Sequence, residues 1–81
     1  MKLENTIMFS GESCYGCEFM KDKMDRGKVQ LQEIIDVSTN EGMHKAMKYR
    51  VQSFSAFVNT LNYESIIGIT SIKNLIELDQ V

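Results

Sequence analysis

The only two cysteines, Cys14 and Cys17, stand three positions apart, so no disulfide can staple distant parts of this chain together. A bridge between them closes a loop too short to constrain the unfolded state appreciably. A chain of 81 residues buries a smaller share of its surface than a larger domain and often needs such a staple. This one must rest on its core alone, read here as one domain over residues 1–81. The cysteine pair is left free for chemistry.

Composition narrows what that chemistry serves. Hydrophobic residues make up 43% and charged residues 25%, with a net charge of −2, the profile of a globular chain. Nothing is basic enough to track a phosphate backbone, so no nucleic-acid partner is expected. The longest apolar runs, Ile7-Met8-Phe9 and Ala56-Phe57-Val58, are far too short for a membrane span. Lys2, Glu4 and Asn5 interrupt any signal-peptide core near the start, and the expected location is cytoplasmic. Reductants keep thiols reduced there, which favours a catalytic or metal-binding pair over a structural one. The chain contains no proline.

Hydrophobic patterning predicts seven elements. Thr6–Phe9 is a short strand buried on both faces. Tyr15 to about Met24 is a helix capped by Ser13, with Phe19, Met20 and Met24 inside. Gly27 is placed to end it at positive φ. Val29–Val37 holds a second strand, around Leu31 and Ile34-Ile35. Ser38-Thr39-Asn40 offers caps for a helix to about Arg50, with Met43, Ala46, Met47 and Val51 as its apolar stripe. Ser53–Leu61 and Tyr63–Ile67 form a hairpin about Asn62. Beyond Gly68, Thr70 or Ser71 caps a last helix through Leu78, burying Ile72, Leu75 and Ile76. The six methionines, at 1, 8, 20, 24, 43 and 47, read as core filler. The order β-α-β-α-β-β-α gives an α/β fold: a four-stranded mixed sheet flanked by helices. Its first two β-α-β steps are expected to pair in parallel, and the closing hairpin adds an antiparallel edge.

Cys14-Tyr15-Gly16-Cys17 falls where a loop becomes a helix. First-turn amides lack intrahelical partners and carry partial positive charge. A thiolate at Cys14 is stabilised there and is nucleophilic near neutral pH. Cys17, one turn inside on the same face, can resolve a mixed disulfide formed at Cys14. Other uses of the pair exist. Zinc wants two more ligands, and the one plausible extra, His44, reads as a solvated residue beside Lys45. Soft-metal chaperones of βαββαβ type use such thiolates for Cu(I) but need a hairpin where Asn40–Arg50 reads as helix. Two inert core cysteines would leave the loop-to-helix placement unexplained.

The strand Ile7-Met8-Phe9-Ser10, the Cys14–Cys17 motif, the segment Tyr49–Val58 and the late Gly68 together resemble the glutaredoxin/thioredoxin superfamily over nearly the whole chain. The resemblance implies a thioredoxin-like fold of glutaredoxin size and dithiol–disulfide exchange through Cys14 and Cys17, with no resident cofactor. It also implies substrate contacts by Tyr15, as a stacking aromatic, and by Phe54 and Ser55. Three departures stand out. Ser55 occupies the family's cis-proline position, facing the cysteines, with Phe54 as the residue that offers backbone hydrogen bonds to substrate. Cis costs ~2.5–4 kcal/mol before a non-proline residue, so a trans Phe54–Ser55 bond is expected. Loss of the proline also opens the pair to a metal ion or iron–sulfur cluster.

The second departure is an incomplete glutathione site. Glu12 stands where a cation would help, and Gly68-Ile69-Thr70-Ser71 replaces a Gly-Gly-acid pattern. A carboxylate there repels glutathione and disfavours a thiolate. The expected substrate is therefore a protein disulfide, with recycling by a thioredoxin-reductase-like or low-molecular-weight thiol system, and a monomer is expected. Third, the first strand lacks the buried acid of thioredoxins; Glu12 and Glu18 flank the motif instead, and no general base is assigned. The competing function classes are a metal- or cluster-binding module built on the same thiolates and a degenerate redox fold used for interaction.

Overall fold

The computed structural model describes residues 1–81. In chain order the elements are β1 (Lys2–Ser10), α1 (Tyr15–Arg26), β2 (Gln30–Asp36), α2 (Asn40–Lys48), β3 (Ala56–Asn59), β4 (Ser65–Ile67) and α3 (Ile72–Asp79). The four strands form one sheet in the order β2-β1-β3-β4. The fold is α/β with a mixed sheet: β1 and β2 are parallel, while β1 with β3 and β3 with β4 are antiparallel.

The expected second parallel step is corrected by this pairing. β3 does not continue the β1–β2 ladder but runs against β1 from its other side. Residues 49–55, between α2 and β3, give the chain room to reverse before it pairs.

Alternation along β1 and β3 sorts the core into two layers. Met8 and Phe57 point to one face and pack with Cys17, Met20 and Met24 of α1 and Leu75 and Leu78 of α3. Ile7, Phe9, Ala56 and Val58 point to the other, with Ile35, Val37 and Ala46 of α2. Two helices thus cover one face and one helix the other. Buried polar groups at the far end of the sheet are partnered, as desolvation requires. The Asn59 amide donates to the Leu78 carbonyl at 2.8 Å, and its Oδ1 accepts from the backbone of Leu61 and Asn62. Asp79 accepts from the Thr6 hydroxyl at 2.7 Å and the Asn5 N–H at 2.8 Å. These bonds turn the chain straight after Asn59, so β3 stops short of the expected Leu61.

Helix ends also differ from expectation. Cys14, not Ser13, caps α1; Ser13 takes φ 51° in the turn before it. α1 runs on to Arg26, so the left-handed residue that closes it is Lys28 at φ 55°, while Gly27 keeps φ −83°. Val29 N–H then bonds Met24 O at 2.8 Å and Lys28 N–H bonds Asp25 O at 3.1 Å, the paired closure of a Schellman motif. α2 closes in the same way, with Arg50 at φ 59° and Val51 N–H bonding Ala46 O.

The apolar stripe of α2 is rotated. Gly42 and Ala46 face the sheet, whereas Met43 and Met47 are exposed. Small size explains it: a Cβ on Gly42 would lie 1.9 Å from the Asp36 carbonyl oxygen. The helix sits so close to the end of β2 that only these residues fit beneath it. Met1 and Phe19 are likewise exposed, and Met8, Met20 and Met24 are the methionines that fill the core. Ile34, one of the apolar residues of the second strand, lies on the edge of the sheet and is half exposed.

Three stability outcomes follow. Gly42→Ala should cost about 3 kcal/mol, the upper end for an overpacked site, because the obstacle is backbone; Met47→Ala should stay within about 0.5 kcal/mol. Lys28→Gly should stabilise by about 1 kcal/mol by relieving a left-handed non-glycine residue. Urea unfolding midpoints measure all three.

Candidate functional site

The β1–α1 turn presents the cysteines. With Ser13 at positive φ, Cys14 enters at φ −101°, ψ 100° and caps the helix through its own sulfur. Cys14 Sγ accepts from Cys17 N–H at 3.1 Å, and the Cys14 carbonyl accepts from Glu18 N–H at 3.1 Å. One first-turn amide therefore points at this sulfur, the arrangement that stabilises a thiolate. The two residues are joined as a disulfide with their Cα atoms 5.2 Å apart. Their surroundings differ sharply. Cys17 is fully buried in the layer with Met8 and Met20, and Cys14 is half-buried at its margin.

Two loops close over this helix start. Phe54 lies against Gly11, where a Cβ would meet its Cδ2 at 3.5 Å. A Cβ on Gly16 would meet Ile69 Cγ1 at 3.5 Å and Ser55 Oγ at 3.9 Å. Both loops thus pack at van der Waals distance from the residue between the cysteines. They are tied together by Gly68 N–H, which donates to Ser55 O at 2.8 Å, with Gly68 itself at φ 92°. Lys23 Nζ donates to Thr70 O at 3.2 Å and anchors the second loop to α1. The structure therefore brings all five sequence-chosen residues, Cys14, Tyr15, Cys17, Phe54 and Ser55, to one helix start. The Phe54–Ser55 peptide is cis, which corrects the expected trans bond. The expectation weighed the local cost alone. Here the Ser55 carbonyl also accepts from Gly68 N–H, a partner outside the segment that a local cost does not count.

The rim is apolar on this side. Tyr15 is 77% exposed, Ile69 55% and Phe54 37%, and Phe19 stacks beside Tyr15 at 6.5 Å between ring centroids. Ile69 was not singled out from the sequence; an apolar residue directly after Gly68 in a polar loop was the available signal. The other flank is polar. A cavity of about 480 Å³ is lined by Ser10, Gly11, Glu12, Ser13, Glu18, Lys21, Ile34 and Asp36, three carboxylates against one ammonium. The Ser38 hydroxyl, then its N–H, hold Asp36 below the ordinary carboxylate value of 3.8. That charge persists to low pH.

His44 lies exposed on α2, the helix that covers the opposite face from α1. No third His, Cys, Asp or Glu joins the cysteine pair in a metal-holding group. No helix is long and apolar enough to cross a membrane. Protein-family models give no match to the chain, and neither do curated protein sequences.

In the reduced protein, iodoacetamide should modify Cys14 at least about tenfold faster than Cys17, because reactivity follows thiolate character and access. Peptide mass spectrometry across pH measures both rates. Faster labelling of Cys17 would reverse the roles of the two sulfurs.

Proposed function

We propose that this chain is a small thioredoxin-like thiol–disulfide oxidoreductase acting on protein disulfides. The observation that carries the reading is the asymmetry of the Cys14–Cys17 disulfide: one sulfur at the accessible start of α1, the other sealed in the core. A pair built only to hold the fold would gain nothing from that placement, since the loop it closes is so short.

The cycle starts from the reduced pair. Cys14 thiolate attacks one sulfur of a partner disulfide; a new S–S bond forms to Cys14, the partner's bond breaks and its second sulfur leaves as a thiolate. Cys17 then attacks Cys14 Sγ, and the departing thiolate takes up the proton that Cys17 gives up. The partner leaves with one thiolate and one thiol, two electrons richer, and the chain is left with the Cys14–Cys17 bond. A thioredoxin-reductase-like partner or a small thiol returns the electrons. The chain acts in the cytoplasm as a monomer and needs no resident cofactor.

The surroundings support a polypeptide substrate. Tyr15, Phe54 and Ile69 offer an apolar rim to a chain segment, and the resemblance gives the Phe54 backbone the role of pairing with it. Glu12, Glu18 and Asp36 on the other flank repel the carboxylates of glutathione. A metal- or cluster-binding role for the same thiolates gains no third side chain at the site.

Cys14→Ser should reduce turnover of insulin disulfides to background. Cys17→Ser should accumulate a mixed disulfide with substrate, visible on a non-reducing gel. Retention of most activity by Cys14→Ser would refute the mechanism.

A further inference from the structure

Among buried side-chain nitrogen and oxygen atoms, Ser55 Oγ alone has no hydrogen-bond partner. The residue is 1% exposed, so bulk solvent does not reach it. Buried hydroxyls without partners are uncommon, and each calls for an explanation. The position is informative: the oxygen lies 3.9 Å from where a Gly16 Cβ would stand, over the peptide that links the two cysteines. The backbone is not free to carry it away, because the Ser55 carbonyl is held by Gly68 N–H. Elsewhere in the core, Thr6 and Asn59 find their acceptors.

The missing acceptor is one that the oxidised state lacks. In the disulfide the Cys14 sulfur is neutral and already accepts from Cys17 N–H at 3.1 Å, and a neutral disulfide sulfur is a poor acceptor for a second donor. Reduction breaks the S–S bond, takes in two electrons from a dithiol reductant and one proton, and leaves Cys17 as a thiol and Cys14 as a thiolate. The thiolate carries a full charge at the helix start, and hydrogen bonds to charged groups are about twice as strong as neutral ones. We propose that the Ser55 hydroxyl is a positioning donor that turns toward the Cys14 sulfur once the pair is reduced. This assignment rests on the dithiol reading of the pair.

Two properties follow with definite sign. A donor to the thiolate favours its charged form and lowers the thiol pKa. It also favours the reduced over the oxidised protein, which raises the reduction potential. Ser55→Ala should therefore raise the Cys14 pKa by about one unit, a tenfold change in proton affinity. It should also shift the dithiol–disulfide equilibrium about tenfold toward the disulfide, about 30 mV downward. The change removes one atom with no bonds in the oxidised structure, so the fold should persist.

The test follows thiolate absorbance at 240 nm against pH and equilibrates each protein with a dithiothreitol couple where Cys14 is ionised. Wild type, Ser55→Ala and Ser55→Thr are compared. Threonine keeps the hydroxyl and should restore both values. In wild-type reduced protein, the Ser55 Cβ NMR shift should titrate together with the Cys14 thiol, a measurement that needs no variant. An unchanged thiol pKa in Ser55→Ala, a threonine variant that behaves as alanine, or a Ser55 signal indifferent to the titration would each overturn the assignment. Wild-type protein that lacks disulfide reductase activity, yet shows these Ser55 effects, would sink the proposed function and leave this inference standing.

Discussion

β1 is buried on both faces and paired on both edges, and the cysteine turn is hung from its end. Met8 fixes one layer and Ile7 with Phe9 the other, while β2 and β3 hold the strand laterally. A strand held on four sides has little freedom to tilt or slide. Its last residue, Ser10, still accepts a bond from Val37 N–H at 3.0 Å. The chain then reaches the α1 cap within a short turn, so rigidity in the sheet is passed to Cys14 almost undiluted. Sites carried on such elements hold geometry better than sites on long loops.

Much of this was legible because burial leaves a mark in the sequence. Ile7-Met8-Phe9 and Ala56-Phe57-Val58 are continuous apolar runs, the mark of strands covered on both sides. The α3 cap at Ser71, which accepts from Asn74 N–H, follows from the same kind of local rule. What stayed hidden depends on partners distant in the chain. The orientation of α2 is set by Gly42 against the Asp36 carbonyl, and hydropathy counts glycine as nothing. Lys28 and Arg50 take the left-handed positions that glycine usually holds because each helix ended where its packing ended. The cysteine pair was evident from spacing alone, while Ser13 lost the cap to a sulfur whose bonding no propensity scale records. The direction of β3 and the surroundings of Phe54–Ser55 depend on partners across the sheet and on the Gly68 N–H bond to Ser55 O.

The two flanks of the helix start differ in the kind of work they can do. Tyr15, Phe54 and Ile69 give area without charge, which suits a polypeptide whose side chains vary. Glu12, Glu18 and Asp36 give charge without enclosure, and Lys21 offsets only part of it. Exposed charges of this sort add little affinity but discriminate among partners and alter encounter rates. On the proposed function, discrimination against small anionic thiols and tolerance of extended chains come from separate residues on either side of one sulfur.

The disulfide spans a single helical turn, and the packing around it is supplied by residues that have no part in the bond. Met8, Met20, Phe57 and Leu75 would surround Cys17 whether its sulfur were bonded or free. Opening the bridge therefore releases less chain entropy than opening a long-loop disulfide would. On the proposed dithiol reading, both oxidation states share one scaffold, and the energy of an entering electron pair stays at two sulfur atoms. A carrier of that kind would be charged and discharged repeatedly without passing through an unfolded state.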